Sequence, residues 1–414
     1  MLNICGKIGA IVAFILLLTA CGEKKKEIKG NLEPMMYSRL LSSGTVQGEN
    51  VVEIRSVVGA DTLVRRFVLR DSAAFAAGKA LPMELEGATV LRVPLKRVVA
   101  LSSAQIGYML KLGVADRIIA VGEGKYIADS ALYYRVESNR RVGNGDSSAV
   151  IQSEAKNPVT DIVAEIGYGN AMDYEKLMAL KPDLVMTFAT GGSEDDYNRM
   201  ERLGIPVMLT SEWQDESPLA KAEWIKLYAM LFDDGSKKLK NPAYLAFASE
   251  AALYENKNSV LWDEKWNRDS CDGPKVIAGM SYGGVWYAPG ANSYTGRLIG
   301  ESGGCYLWKD SLSRELKLTL EDVMLVAEQA DVWLNPGMFS TPEEILAAEP
   351  RAANIKAFRE KRVYQNDKRK GPGGGNDFYE SGVARPNEML LNVEGSIFKG
   401  NPPDSLSIWY HNIF

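Results

Sequence analysis

The sequence predicts an α/β protein with two α/β lobes, a long helical segment between them and a small β-rich extension at the amino terminus. Strand-like and helix-like segments alternate from residue 97 to 213 and again from residue 275 to 367. Such alternation indicates a parallel sheet covered by helices in each lobe. With 414 residues, the chain is also longer than one hydrophobic core usually serves, which favours two domains.

The amino terminus has the pattern of an export signal. Lys7 precedes an apolar run from Ile8 to Leu18, which is too short for a dependable membrane span and is typical of a signal peptide. The sequence LTAC that ends at Cys21 resembles the lipobox of bacterial lipoproteins. That resemblance implies cleavage before Cys21 and acylation of its sulfur. We therefore expect a signal peptide at 1–20, a solvated tether at 21–30 and a lipid-anchored protein that faces the periplasm, on either the inner or the outer membrane.

Composition argues against two kinds of function. The formal net charge of −5 argues against nucleic-acid binding. His411 is the single histidine, and Cys5 and Cys21 belong to the signal and the anchor, so transition-metal ligands are scarce. We expect no protein-built metal site and no resident cofactor, and a bound metal would arrive inside a chelate. Cys271 and Cys305 remain, and the sequence leaves open whether they form a disulfide.

The extension and the first lobe can be followed along the chain. Residues 31–94 predict an antiparallel appendage. The lobe then begins with a predicted strand (RVVALSS), a helix (AQIGYMLKLGV) and a second strand (RIIAVGEG). In MDYEKLMALKPDLVMTFATGG, Asp173 caps a helix that Pro182 ends before a buried strand. DDYNRMERLGIPVMLTSEW repeats this order. Ligands bind beyond the carboxyl ends of such strands, which are Ser102–Ser103, Glu123–Tyr126, Thr187–Gly192 and Thr210–Trp213.

The remaining segments complete the second lobe. Residues 217–260 are mostly helical. The pattern then predicts one strand in KVIAGMSY and a helix in SYTGRLIGESGG. It predicts a helix followed by a strand in TLEDVMLVAEQADVWLNPG and again in AANIKAFREKRVYQND. Residues 144–171 form a polar insertion in the first lobe, to which we assign no chemistry.

Both lobes together resemble the solute-binding proteins of bacterial ABC importers for siderophores, haem and cobalamin. The resemblance is carried by RVVALSSAQIGYMLKLGVADRIIAVGE, DYEKLMALKPDLVM, YTGRLIGESGGCYLW and LTLEDVMLVAEQADVWLNPG. The last region looks like the C-terminal signature of the lipoprotein branch found in Bacteroidetes-like bacteria, and its sequence is VYQNDKRKGPGGGNDFYESGVARPNEMLLN. The family implies two Rossmann-like lobes, at 95–234 and 263–414, that are joined by a single long helix at 235–262 and hold solute between them. It also implies a monomer that delivers solute to an ABC permease and its ATPase.

The resemblance further implies one acidic residue on the outer face of each lobe, which docks into arginine pockets of the permease. Glu175 and Glu321 hold the matching positions. A carboxylate near a helix start stays ionised, and arginine can bind it bidentately. The alternative is that each glutamate only stabilises the first turn of its helix. We expect Thr187–Gly192 to face the solute and Glu175 to lie at the opposite pole of the lobe.

Aromatic residues in loops between the lobes are the expected solute contacts, because large planar or catecholate solutes need broad apolar walls with a few polar groups. Core packing is the alternative for each aromatic residue. The predicted ligand-binding residues are Ser103, Lys125, Tyr126, Thr190, Trp213, Trp286, Tyr287, Asn292, Phe339, Arg369 and Phe378, with Tyr282 and Tyr379 as further aromatics. We expect an iron(III)-siderophore-type chelate as solute, while cobalamin and haem remain open.

A serine hydrolase and a purely structural lipoprotein are the alternatives from other classes. GMSYG matches the G-x-S-x-G pattern, and Ser281, Asp331 and His411 follow the chain order of a triad. However, GGVWYAPGANS follows where a nucleophile elbow needs a helix, and the histidine is near the chain end. We predict that the protein is not an enzyme. The glycine run Gly371–Asp377 lacks the Lys-Ser/Thr of a phosphate loop and predicts a flexible turn at the cleft rim.

Overall fold

The computed structural model describes residues 31–143, 162–232, 242–258, 271–310, 312–395 and 407–414. The lipidation site predicted at Cys21 and most of the insertion predicted at 144–171 lie outside these ranges. Within them, no helix combines the length and the hydrophobicity that crossing a membrane requires.

The amino-terminal extension is a five-stranded sheet with the strands in chain order. The first four strands pair antiparallel, and the fifth pairs parallel with the fourth. Val58 and Leu63 of its central hairpin pack against the core of the first lobe. The hairpin therefore lies along the edge of that lobe. Its elements are β1 (Asn31–Pro34), β2 (Leu41–Val46), β3 (Glu49–Val58), β4 (Asp61–Arg70), α1 (Ser72–Ala76) and β5 (Thr89–Arg92).

The first lobe is built on a parallel sheet of five strands. Its elements are β6 (Val98–Ala100), α2 (Ser103–Lys111), β7 (Ile118–Val121), α3 (Ser130–Gly143), β8 (Ala164–Glu165), α4 (Tyr174–Leu180), β9 (Leu184–Thr187), α5 (Tyr197–Arg202) and β10 (Val207–Leu209). The strand order is β10-β9-β6-β7-β8. As predicted, the Asp173 side chain caps α4 by accepting from the Lys176 N–H, and the helix ends before Pro182. The left-handed φ of 46° at Lys181 makes this stop.

Three helices follow the first lobe, namely α6 (Pro218–Glu223), α7 (Ile225–Phe232) and α8 (Pro242–Asn258). Ser217 caps α6, and Pro218 occupies its first turn, where the missing N–H costs no hydrogen bond. The seventeen-residue α8 lies within the range predicted for the connecting helix.

The second lobe has a five-stranded sheet and a small antiparallel one. Its elements are β11 (Lys275–Ala278), β12 (Met280–Tyr282), β13 (Val285–Pro289), α9 (Tyr294–Glu301), β14 (Cys305–Tyr306), β15 (Glu315–Leu318), α10 (Leu320–Val326), β16 (Val332–Leu334), α11 (Pro342–Ala348), α12 (Lys356–Arg359), β17 (Val363–Gln365), α13 (Pro386–Val393) and β18 (His411–Asn412). The large sheet has the order β14-β11-β16-β17-β18, and all pairs except β17–β18 are parallel. The two lobes with parallel sheets and flanking helices confirm the predicted fold class.

The prediction of one continuous strand over KVIAGMSY was wrong. Gly279, with a φ of +91°, separates β11 from β12, which pairs with β13 in the small sheet of order β12-β13-β15. A Cβ at this position would overlap the carbonyl oxygen of Tyr287, so the close approach of the hairpin backbone requires glycine.

Cys271 and Cys305 form a disulfide, with their Cα atoms 5.7 Å apart. The bond joins the segment before β11 to β14, and these two strands are neighbours in the sheet. It therefore fastens the edge of the second lobe.

Replacing both cysteines with serine should lower the free energy of unfolding by about 3–4 kcal/mol, because a cross-link across 34 residues restricts the unfolded chain. Urea denaturation of the oxidised protein and of the double variant measures the difference. As a control, a reductant should destabilise the wild-type protein and leave the double variant unchanged. Equal stabilities of the two oxidised proteins would contradict the prediction.

Candidate functional site

A cavity of about 270 Å³ opens at the carboxyl edge of the first-lobe sheet. Parallel strands all end on this edge, so the loops after β6, β7, β8 and β9 converge there. The lining residues are Ala100, Leu101, Ser102, Ser103, Ile106, Val121, Gly122, Glu123, Tyr126, Ile127, Tyr168 and Phe188. We call this cavity the first-lobe pocket.

Two stacked aromatic rings form one wall of the first-lobe pocket. The rings of Tyr168, after β8, and Phe188, after β9, lie 5.3 Å apart and within 15° of parallel. Burial, together with the carboxylates of Asp196, Asp195 and Glu194, raises the pKa of Tyr168 to about 12. The phenol therefore stays protonated at neutral pH and can donate a hydrogen bond. Flat apolar groups pack favourably on such a surface.

The first-lobe pocket is also lined by polar groups. The Ser103 hydroxyl at the start of α2 donates to the Tyr126 carbonyl oxygen at 3.2 Å. Glu123 forms an ion pair with Lys125, and this carboxylate raises the pKa of the lysine. The Lys125 ammonium also lies 4.8 Å from the centre of the Tyr126 ring, which is 58% exposed. Hydroxyl groups, a carboxylate and an exposed aromatic ring thus meet at the pocket mouth.

Two of the eleven predicted ligand-binding residues line the first-lobe pocket, namely Ser103 and Tyr126. Lys125 is next to them on the exposed side. Thr190 is exposed, and its backbone N–H donates to the Asp195 carboxylate at 3.0 Å. Trp213 is 44% exposed beyond the carboxyl end of β10. These last two residues lie on strand-end loops of the same lobe, outside the pocket lining.

The predicted second-lobe residues are spread over several surfaces. Tyr287 is half-buried on the outward side of β13, facing the Lys317 ammonium at 5.8 Å. Phe339 is half-buried beside the core. The backbone N–H of Asn292 donates to the Leu312 carbonyl, just before α9. Arg369 is exposed and pairs with Asp377 at 3.4 Å. The further aromatics Tyr282 and Tyr379 are 70% and 52% exposed.

Trp286 and Phe378 were wrong as cleft-wall residues. Trp286 is 0% exposed, its indole N–H donates to the Ala278 carbonyl at 3.1 Å, and its ring packs on Trp333. Alternate side chains of β13 point to opposite faces, and Trp286 is on the core face. Phe378 is 8% exposed and packs edge-on against Tyr294, Tyr379 and Tyr410.

Tyr168 is the site residue that the sequence analysis missed. It lies within residues 144–171, the polar insertion to which we assign no chemistry. Gly167 and Gly169 on either side have φ angles of +77° and +57°, which place the intervening tyrosine on a tight turn after β8. The sequence IGYGN after the apolar pair of a short strand was the available signal.

Glu175 and Glu321 are exposed residues in the first turns of α4 and α10. Glu321 is 78% exposed and lies 3.3 Å from Arg351. The prediction that Glu175 lies at the pole opposite the strand ends was wrong. Just before it, the Asp173 N–H donates to the Ile166 carbonyl, directly beyond the carboxyl end of β8. A helix that follows a parallel strand starts at the carboxyl edge and runs back, so its first turn is on the pocket side.

The predicted triad order does not correspond to a catalytic geometry. Ser281 is buried in β12, whereas Asp331 precedes β16 and pairs with Lys356 at 2.6 Å. The Nε2 atom of His411 instead contacts Asp367 at 2.6 Å, after the carboxyl end of β17. Ser281 and Asp331 are thus on opposite edges of the lobe. Across the described ranges, no group of three or more His, Cys, Asp and Glu side chains could hold a metal ion.

The segment Gly371–Glu380, which we call the crossing segment, contacts the first lobe beside the pocket. A Cβ on Gly371 would overlap Ala128, and a Cβ on Gly375 would overlap the Tyr126 carbonyl group. The Glu380 carboxylate, which is 0% exposed, accepts hydrogen bonds from the backbone N–H groups of Ala128 and Asp129 at 2.9 and 2.7 Å. Gly371 and Gly375 of the glycine run, which was predicted as a flexible turn, are therefore closely packed, whereas Gly374 is exposed.

Replacing Glu380 with glutamine should flatten the dependence of stability on pH. Burial raises the pKa of Glu380 from 4.5 to about 7; the Asp377 and Asp129 carboxylates contribute, against two lowering hydrogen bonds. Between these values the folded protein holds a proton that the unfolded chain releases, so stability falls as pH rises. From pH 5 to 7.5, urea denaturation should show about 2–3 kcal/mol more loss in the wild-type protein than in Glu380→Gln. Parallel curves would contradict the assignment.

Comparison with known proteins gives one family and several distant relatives. The family model described as "Periplasmic binding protein" matches residues 98–369. An uncharacterized lipoprotein of Methanocaldococcus jannaschii is 21% identical over 308 residues, which are 73% of this chain and 65% of that protein. The chain thus spans less than two thirds of the length of this curated relative.

Among solved structures, a periplasmic binding protein from Veillonella parvula is 14% identical, over 87% of this chain and 98% of that chain, with a TM-score of 0.47. The periplasmic haem-binding protein HutB of Vibrio cholerae is 16% identical, over 72% and 97%, also with a TM-score of 0.47. The periplasmic vitamin B12-binding protein BtuF of Vibrio cholerae is 13% identical, over 72% and 98%, with a TM-score of 0.42.

Proposed function

Because the chain belongs to the periplasmic binding protein family, we propose that it is a solute-binding protein of an ABC importer that captures a ferric chelate and delivers it to a permease. We propose further that Cys21 carries a lipid anchor, so that the protein works tethered in the cell envelope. The family is one of binding proteins, and the proposal includes no catalytic step.

The stacked rings of Tyr168 and Phe188 are the observation that supports an aromatic solute most directly. They give the first-lobe pocket a flat apolar wall, while the Tyr168 phenol and the Ser103 hydroxyl supply hydrogen-bonding groups. Planar catecholate or similar donor arms of an iron chelate need this combination. The cavity of about 270 Å³ is smaller than a typical ligand site, so a whole chelate would extend beyond it.

The solute is tested by titrating the purified protein with four probes, namely a ferric tris-catecholate, a ferric trihydroxamate, cyanocobalamin and haemin. Quenching of intrinsic fluorescence measures the dissociation constants. We expect one of the ferric chelates to bind with a Kd of about 1 μM or less. Tight binding of cyanocobalamin or haemin alone would reassign the solute, and binding of none of the four would overturn the proposed function.

In the same titration, Tyr168→Ala should weaken binding about tenfold, because it removes one ring of the stack. Tyr134→Ala is the matched control, since Tyr134 is 57% exposed on α3 and is not part of the pocket lining. Equal affinities of the Tyr168→Ala variant and the wild-type protein would remove the stack from the solute site.

Charge reversal at both Glu175 and Glu321 should abolish import and leave solute affinity unchanged. We propose that these carboxylates dock onto arginines of the permease, which bind carboxylates strongly. Glu328→Arg is a suitable control, because Glu328 is 74% exposed and pairs with an arginine as Glu321 does. Uptake of the iron-55-labelled chelate measures import. Normal uptake by the double variant, or a loss of solute affinity, would contradict the docking role.

A further inference from the structure

The crossing segment ties the second lobe to the wall of the first-lobe pocket. It leaves the second-lobe sheet after β17, and its glycines allow its backbone to touch the backbone of residues 126–128. Tyr126 and Ile127 in that stretch line the pocket. One wall of a first-lobe cavity is therefore in contact with backbone from the other lobe.

Glu380 is hydrogen-bonded to the first lobe within this contact. Its carboxylate accepts from the N–H groups of Ala128 and Asp129, the two residues before α3. These donors have no partner within the helix itself, and a carboxylate is the acceptor that satisfies them best. On its other side, Gly107 of α2 leaves room for the Glu380 carbonyl group, which a Cβ would overlap. The residue is thus fixed between two first-lobe helices.

The hydrogen bonds of Glu380 lead directly to the pocket. The turn that contains Tyr126 and Ile127 is followed at once by the two N–H donors, and the Tyr126 carbonyl accepts from the Ser103 hydroxyl on the opposite side. A shift of the donors would move both lining residues. The shape of this wall is consequently set from two sides, one of which is the second lobe.

We propose that Glu380 is a positioning residue for solute binding, which holds the Tyr126–Ile127 wall of the first-lobe pocket in place from the second lobe. The inference rests on the proposed function, since it assigns a role within that same solute site. It makes solute affinity depend on contact between the lobes, although Glu380 is not among the residues that line the pocket.

Glu223 provides a matched comparison inside the same chain. It is also 0% exposed, and its carboxylate accepts backbone N–H groups of Met36, Tyr37 and Ser38 at 2.7 to 3.0 Å. These bonds hold the amino-terminal extension and do not involve the pocket lining. A purely structural role for Glu380 would give the two residues the same effects on binding.

The experiment compares Glu380→Gln, Glu380→Ala and Glu223→Gln with the wild-type protein. Amide hydrogen exchange by NMR, without solute, measures protection of the Ala128 and Asp129 N–H groups. Fluorescence titration then measures the Kd for whichever of the four probes named above binds the wild-type protein. We expect Glu380→Ala to raise the Kd at least tenfold and Glu380→Gln, which keeps one acceptor, to raise it less. Exchange at both amides should accelerate in the same order, while Glu223→Gln changes neither measurement.

A second pair of variants tests the same contact without changing a charge. Gly375→Ala should weaken probe binding, because its methyl group would displace the Tyr126 carbonyl. Gly395→Ala is the control, since a Cβ there would meet no atom of the described residues within 4 Å. Equal changes in Kd for Glu380→Gln and Glu223→Gln, or unchanged exchange at Ala128 and Asp129, would overturn the inference and leave the proposed function standing. If the wild-type protein binds none of the probes, the proposed function and this inference are both contradicted.

Discussion

Buried carboxylates that accept backbone hydrogen bonds hold the parts of this protein together. Glu223 accepts three N–H groups from residues 36–38 and also pairs with Lys226, which fixes the extension to α6. Glu380 accepts two N–H groups at the start of α3 and fixes the second lobe to the first. A carboxyl group is costly to bury unless its hydrogen-bond partners are in place. Each carboxylate therefore strongly favours one relative placement of the units that it joins.

Carboxyl groups that accept hydrogen bonds from tyrosine side chains also hold the helix between the lobes. The helix α8 that connects them is held on both sides, since Tyr37 of the extension donates to Glu255 and Tyr254 donates to Glu301 of α9. Burial raises the pKa of Glu301 to about 8, so this carboxyl group is mostly protonated at neutral pH. The extension and α9 hold α8, and the crossing segment separately joins the second lobe to the first. Together these contacts favour small relative displacements of the lobes over wide hinge opening.

The sequence predicted the fold well where local patterns decide it. Alternating apolar segments located the lobes, and Asp173 with Pro182 marked both ends of α4. The prediction failed where contacts with segments distant in sequence determine the local structure. Gly279 breaks a continuous apolar strand because the Tyr287 carbonyl approaches it, and that contact exists only in the folded hairpin. Trp286 is a residue type that is typical of a cleft wall. However, whether its side chain faces the core or the solvent depends on how its strand pairs in the sheet.

The glycine run Gly371–Asp377 shows the same limit at the site itself. Glycine composition indicates conformational freedom, which suggested a flexible turn, yet the missing side chains are also what lets two backbones touch. Here Gly371 and Gly375 use that space against the first lobe. Every residue that lines the pocket belongs to the first lobe, but the wall at Tyr126 is in contact with these second-lobe glycines. The shape of the first-lobe pocket thus depends on contact between the two lobes, because the backbone that forms its wall is held by hydrogen bonds and close packing from the second lobe.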